Sequence, residues 1–312
     1  MEYAIRAGES LNDAVRRLIS EEIDRAEAHL RDETTPPDER VHGVRKRFKE
    51  IRAVLRLIRP GLGSQFETEN EWYRDAGREL SRVRDARVVI GAVGRLPHDG
   101  DEISRRVIRR ALRVLRARHR EASRGLQATI AGTLQKLPVA RDRIAGWPEL
   151  DDRFSTIGHG LVATYRAGRR ALGDCVENPA PEHFHEWRKR VKDHAHHLEL
   201  LRNVWPAIMK VNHDAANDVA RALGEHHDLT LFRQLLDDEP RRFGDDHELQ
   251  WLRAVVRGRL TELERKAMGD ARRLLAERPE RWRKRVERYW DVWRDERDLG
   301  VGTGDATSVL SN

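Results

Sequence analysis

The sequence predicts an all-α protein made of a duplicated four-helix unit followed by a short C-terminal helix. Two observations carry this. The segments between its prolines show helical apolar spacing, and its second half repeats the first in one ungapped register. Leu11, Ala14, Val15, Leu18, Ile19, Glu22 and Ile23 share one helical face, and Ser10 stands where an N-cap belongs, so the first helix is placed at 10 to 31. The turn-forming run Thr34-Thr35-Pro36-Pro37-Asp38 follows. Further helices are predicted at roughly 39 to 59, 63 to 94 and 101 to 136, the last closed by Pro138. The second half repeats the plan at roughly 151 to 176, 182 to 204, 207 to 237 and 245 to 277, with a short helix near 280 to 296. These elements form one domain over residues 1 to 299, with repeats at about 10 to 137 and 151 to 278. The Gly- and Ser-containing tail, 300 to 312, is expected to be disordered.

A shift of 143 residues aligns the halves from about Leu11 to Ile90. It pairs Pro36 with Pro179, His42 with His185, Lys46 with Lys189, Lys49 with Lys192, Arg59 with Arg202, Arg78 with Arg221 and Asp85 with Asp228. Abundant arginine makes chance Arg matches common, so the argument rests on the rarer His, Lys and Pro coincidences.

Sixty Lys and Arg against 53 Asp and Glu give a formal charge of +7, which favours anionic partners without naming one. Only eight of the basic residues are lysine, and four of those fall in two short motifs. No apolar run is long enough to span a bilayer, and the N-terminus lacks a signal peptide's apolar stretch. The single Cys175 permits no intramolecular disulfide, so a reducing cytoplasm is the expected compartment.

The two motifs share the form His-x-x-Arg-Lys-Arg-x-Lys, at His42, Arg45, Lys46, Arg47, Lys49 and at His185, Arg188, Lys189, Arg190, Lys192. On a helix, Val44, Phe48, Ile51, Leu55 and Ile58 form an apolar stripe, while His42, Arg45, Lys46, Lys49, Arg52 and Arg56 gather beside it. Arg47 points elsewhere. The second copy sets His185, Arg188, Lys189, Lys192 and His196 beside Trp187, Val191, Leu198 and Leu201, with Glu199 in place of Arg56. Like charges at i,i+3 and i,i+4 cost a few tenths of a kcal/mol per pair, and a bound polyanion would offset that cost. Arginine's planar fork, lysine's mobile charge and histidine's titratable ring together suit a flexible chain of phosphates.

Val41-His42-Gly43-Val44-Arg45-Lys46-Arg47-Phe48-Lys49 and Phe184-His185-Glu186-Trp187-Arg188-Lys189-Arg190-Val191-Lys192 resemble the CHAD family, the conserved histidine α-helical domain. The downstream Leu80 to Asp85 and Leu223 to Asp228 carry the resemblance further. It implies two four-helix bundles related by a pseudo-twofold axis, whose basic helices line a central cavity or channel that binds inorganic polyphosphate. It also implies a binding module rather than an enzyme, with no cofactor and no metal. Ser81 stands where the second copy has Gly224, and His194, His196 and His197 make the second basic helix unusually rich in histidine. The expected ligand contacts are His42, Arg45, Lys46, Lys49, Arg52, Arg56, His185, Arg188, Lys189, Lys192 and His196, with Arg78, Arg82, Lys210 and Arg221 in support. Granules of polyphosphate or the enzymes that metabolise it are the expected associates.

Competing signals weigh less. Glu262-Leu263-Glu264-Arg265-Lys266 matches the Glu-x-Glu-x-Lys hallmark of triphosphatase tunnels, but on a helix Glu262 and Glu264 diverge, and a surface Glu262-to-Lys266 pair is expected. His194, His196 and His197 cannot face one metal ion. Asp85 and Asp228 come with no nucleophile, metal cage or phosphate-binding glycine loop, which argues against a phosphohydrolase. General nucleic-acid binding is the alternative to polyphosphate, as is an accessory role beside a polyphosphate- or triphosphate-processing enzyme. Nucleic acid is disfavoured because the motif helices offer neither groove nor stacking aromatics. The eight tryptophans are expected mainly in the core, with Trp282, Trp290 and Trp293 able to dock the last helix across the halves.

Overall fold

The computed structural model describes residues 2–97 and 101–298, without the side chains of 81–86 and 297–298. The expected tail therefore lies outside the described residues. Thirteen helices and no strands are found among them: α1 (Leu11–Arg31), α2 (Pro37–Leu57), α3 (Arg59–Leu62), α4 (Gln65–Glu79), α5 (Ser81–Gly94), α6 (Glu102–Ala122) and α7 (Leu126–Ala145) come first. Then follow α8 (Phe154–Glu177), α9 (Pro181–Leu200), α10 (Pro206–Asp238), α11 (Pro240–Phe243), α12 (Asp246–Leu274) and α13 (Pro279–Asp298).

The start of α1 is as read from the sequence: the Ser10 side chain accepts from the Asp13 N–H at 3.1 Å, and Leu11, Val15, Leu18, Ile19 and Ile23 are buried. Two expected helices are corrected. The helix placed at 63 to 94 is broken at Leu80 into α4 and α5. Arg45 Nη1 donates to the Gly77 carbonyl in the last turn of α4, where carbonyls lack helical partners, so a tertiary contact anchors the end of that helix. The helix placed at 101 to 136 is likewise two, α6 and α7, joined through Gly125 at φ 81°, a left-handed conformation that favours glycine. Pro138 does not end a helix. It sits inside α7, where its exposed position leaves the unpaired carbonyl one turn earlier close to water.

The C-terminal helix expected near 280 to 296 is α13, 20 residues long. It packs on α8 as α7 packs on α1. Trp282 stacks on Tyr165 at 4.5 Å, and Trp290 meets Phe154 at 6.1 Å. Its link to the first half is Arg294, which donates to the carbonyls of Ala7 and Glu9 at 3.1 and 2.9 Å. No described helix is long and apolar enough to cross a membrane.

The motif helices α2 and α9 meet each other at the centre. His197 Nε2 donates to the Ala53 carbonyl at 2.9 Å, and His197 is fully buried. The end of α2 also presses on α8 at Gly160, where an added Cβ would lie 2.1 Å from the Leu57 carbonyl oxygen. That close approach requires glycine.

Candidate functional site

Two cavities flank the α2/α9 crossing. One, of 790 Å³, is walled by the second half of α2, by α4, α8 and the first half of α9. The other, of 1090 Å³, is walled by the first half of α2, the second half of α9, the start of α10 and the N-terminal segment. Arg45, Lys49, Lys192 and His196 line both, so the two spaces adjoin across a cationic waist. Residues 143 apart fall in opposite cavities: His185, Lys189, Arg59 and Asn70 in the first, His42, Lys46, Arg202 and His213 in the second.

The first cavity sets eleven Lys and Arg side chains against the carboxylates of Glu67 and Asp193. Arg52 is fixed by a 3.0 Å hydrogen bond to Asn70, and Arg56 by a 3.3 Å ion pair with Asp193. Burial, reinforced by Arg56, pulls the Arg52 guanidinium down to about 10. Asp193 is displaced upward by its own burial, which the nearby Arg56 opposes. His185 and His227 face each other with Nδ1 atoms 3.3 Å apart at the wall.

The second cavity is less cationic, with eight Lys and Arg facing Glu2, Glu50 and Glu199. Arg47 joins Glu50 at 2.9 Å and the buried Glu22 at 3.2 Å, and Lys46 lies 3.8 Å from Glu50. Burial and the neighbouring Glu22 push the Glu50 carboxyl up to about 7. Tyr3 donates to the Glu50 backbone carbonyl at 2.6 Å, and Ile5 N–H donates to Leu200 O at 2.9 Å, so the N-terminal segment forms part of the cavity wall.

Of the expected contacts, His42, Arg45, Lys46, Lys49, Arg52, Arg56, Arg78, His185, Arg188, Lys189, Lys192 and His196 line one cavity or both. Lys210 and Arg221 do not. They are exposed and pair along their own helix with Asp214 at 2.5 Å and Asp218 at 3.3 Å. The Arg82 and Asp85 side chains lie outside the described residues. Arg47, read as pointing elsewhere, lines the second cavity, and Arg190 lines the first.

His196 is also corrected. Burial first, then Lys192, His197, Lys49 and Arg56, push it down to about 3, so at neutral pH it is a neutral ring in a cationic wall. The expected Glu262–Lys266 pair gives way to Glu262 with Arg259 at 2.7 Å, while Glu264 meets His226 at 2.9 Å. Sequence reasoning missed Arg59, Arg74 and His159 in the first cavity and Arg6, Arg25 and Arg202 in the second. No group of three His, Cys, Asp or Glu suited to a metal exists among the described residues.

A family model described as the CHAD domain matches residues 13–237, which include both motif helices. The chain belongs to the CHAD family. Its fold is also that of the crystal structure of the CHAD domain from the plant Ricinus communis, with a TM-score of 0.60 at 18% identity, over 88% of this chain and 94% of that one. No curated protein matches it. In this CHAD chain both helices that carry the repeated motif contribute cations to the two adjoining, half-open cavities.

Proposed function

We propose that this chain binds inorganic polyphosphate along the two adjoining cavities and performs no chemistry on it. The observation that carries this reading is the waist of Arg45, Lys49, Lys192 and His196, whose side chains line both spaces. A linear chain of phosphates can pass from one cavity to the other along this waist. Guanidinium forks grip pairs of phosphate oxygens while the lysines adjust to chain conformation. The swap of equivalent residues between cavities supports a duplicated unit folded about a pseudo-twofold axis, with α7 and α13 as equivalent fifth helices. A binding role without catalysis is supported by the residue types at hand, which offer many cations but no nucleophile poised beside a base. A cytoplasmic setting, association with polyphosphate granules, and work beside a polyphosphate-metabolising enzyme all follow from the same reading.

Calorimetric titration with polyphosphates of graded length, alongside ATP and DNA, tests it. Affinity should climb with chain length until both cavities are filled, and ATP should bind far more weakly. Equal affinity for ATP and long polyphosphate would defeat the reading.

A further inference from the structure

A second basic feature stands apart from the cavities. On α6, Arg109, Arg113, Arg116 and Arg120 recur at i, i+4, i+7 and i+11, which places them within one narrow stripe about 16 Å long. All four are exposed, and none of their side chains makes an ion pair or hydrogen bond among the described residues. Elsewhere on the same helix, arginines are matched: Arg106 and Arg110 reach Glu248 at 3.5 and 2.6 Å, and Arg118 reaches Glu239. Each adjacent pair within the stripe is a like-charge i,i+3 or i,i+4 contact, which disfavours the helix unless an anion lies along it. The helix is held rigidly, because Val107, Ile108, Ala111 and Leu115 are buried on its opposite side.

The composition of the stripe selects the anion. A membrane-surface helix needs an apolar face to insert, and the apolar face of α6 is buried in the core. A protein partner needs apolar or aromatic anchors, and Ile103, at the start of α6, is the one large hydrophobic residue strongly exposed on this helix. Single-stranded nucleic acid is held by stacking on aromatic rings, and α6 has none. A duplex bound through one strand's phosphates needs a row of cations and nothing else, and that is what α6 presents. A duplex, whose major groove alone is about 12 Å wide, has no place inside a 790 Å³ cavity, but it can lie along an open helix.

We infer that the outer face of α6 is a sequence-independent binding track for duplex nucleic acid, separate from the cavities. The sequence argued against nucleic acid on the motif helices, and the track lies elsewhere. Fluorescence anisotropy with a labelled DNA duplex of mixed sequence, over a range of salt, tests it. The variant R109E/R113E/R116E/R120E should weaken duplex binding on the order of 100-fold and lower the log–log salt slope by about 3.6, while polyphosphate titration is unchanged. The corresponding four Arg→Gln changes give the same reading if charge reversal disturbs folding. K49E/K192E should leave duplex binding intact, so failure of the cavity reading and failure of this one are separable. The inference is overturned if the wild-type chain does not bind duplex at low salt, if the quadruple variant binds it as well as wild type, or if the substitutions abolish binding to anionic vesicles and spare the duplex.

Discussion

Acid should unfold this chain through the histidines of its second basic helix. His194 is buried between the edges of Tyr165 and Trp282, with ring centroids 5.3 and 5.2 Å away, and His197 is buried against Ala53. Burial pushes His194 down to about 3 and His197 to about 4. An unfolded histidine titrates near 6.5. Above that pH neither state takes a proton and the two residues add no pH dependence. Below it the unfolded chain binds protons that the folded chain refuses, so stability falls from about pH 6.5 down to the folded values. A tenfold difference in proton affinity is worth about 1.36 kcal/mol, so lowering pH from 7 to 5 costs about 2 kcal/mol for each residue and about 4 together. That is a large share of the 5–15 kcal/mol of a typical domain.

Urea unfolding followed by far-UV circular dichroism at pH 7 and 5 measures the loss. His194→Phe sharpens the test, since a phenyl ring preserves the aromatic contacts, and His194 Nδ1 has no hydrogen-bond partner to lose. At pH 5 this variant should be about 2 kcal/mol more stable, relative to wild type, than it is at pH 7. A wild-type midpoint that does not change between the two pH values, or an H194F variant with unaltered acid sensitivity, would refute the reasoning.

Other outcomes follow from the same geometry. Gly160→Ala drives a Cβ into the backbone carbonyls of Arg56 and Leu57, so thermal unfolding should report a loss of about 1–3 kcal/mol and polyphosphate affinity should drop as the cavity wall moves. Glu69→Ala strips the buried partner from the partly exposed Arg143, which it meets at 2.8 Å between α4 and α7, and chemical denaturation should show about 1–3 kcal/mol lost. Burial first, and then the surrounding cations, hold His196 neutral; a bound polyanion should offset the cationic part and raise its proton affinity. Calorimetry at pH 6 in buffers of different ionisation enthalpy should then register proton uptake, and binding should tighten as pH falls.

Much of this architecture is legible in the sequence. Ser10, the proline breaks and the apolar spacings place most helix ends closely, because capping and amphipathicity are local. The breaks at Leu80 and Gly125 and the continuation through Pro138 are not legible there. One end is anchored by Arg45 reaching the Gly77 carbonyl from another helix, and the proline is tolerated because its flank faces solvent. The in-register lysines and histidines locate both cavity-lining helices. The match of Arg59 with Arg202 also holds information, since the two line opposite cavities, yet arginine is too common here for one Arg pair to stand out. Lys210 and Arg221 are drawn in by charge and proximity, but helical phase turns them to solvent, where an aspartate on the same helix pairs with each. His159 and Arg74 belong to neighbouring helices and enter the wall only through tertiary packing.

A ligand path through both cavities must cross the waist, where Lys49 and Lys192 line both spaces. Isothermal titration of long-chain polyphosphate into the K49E/K192E variant should show binding abolished while circular dichroism shows the helical content of the wild type. Wild-type affinity in that variant would contradict a ligand path through the two cavities.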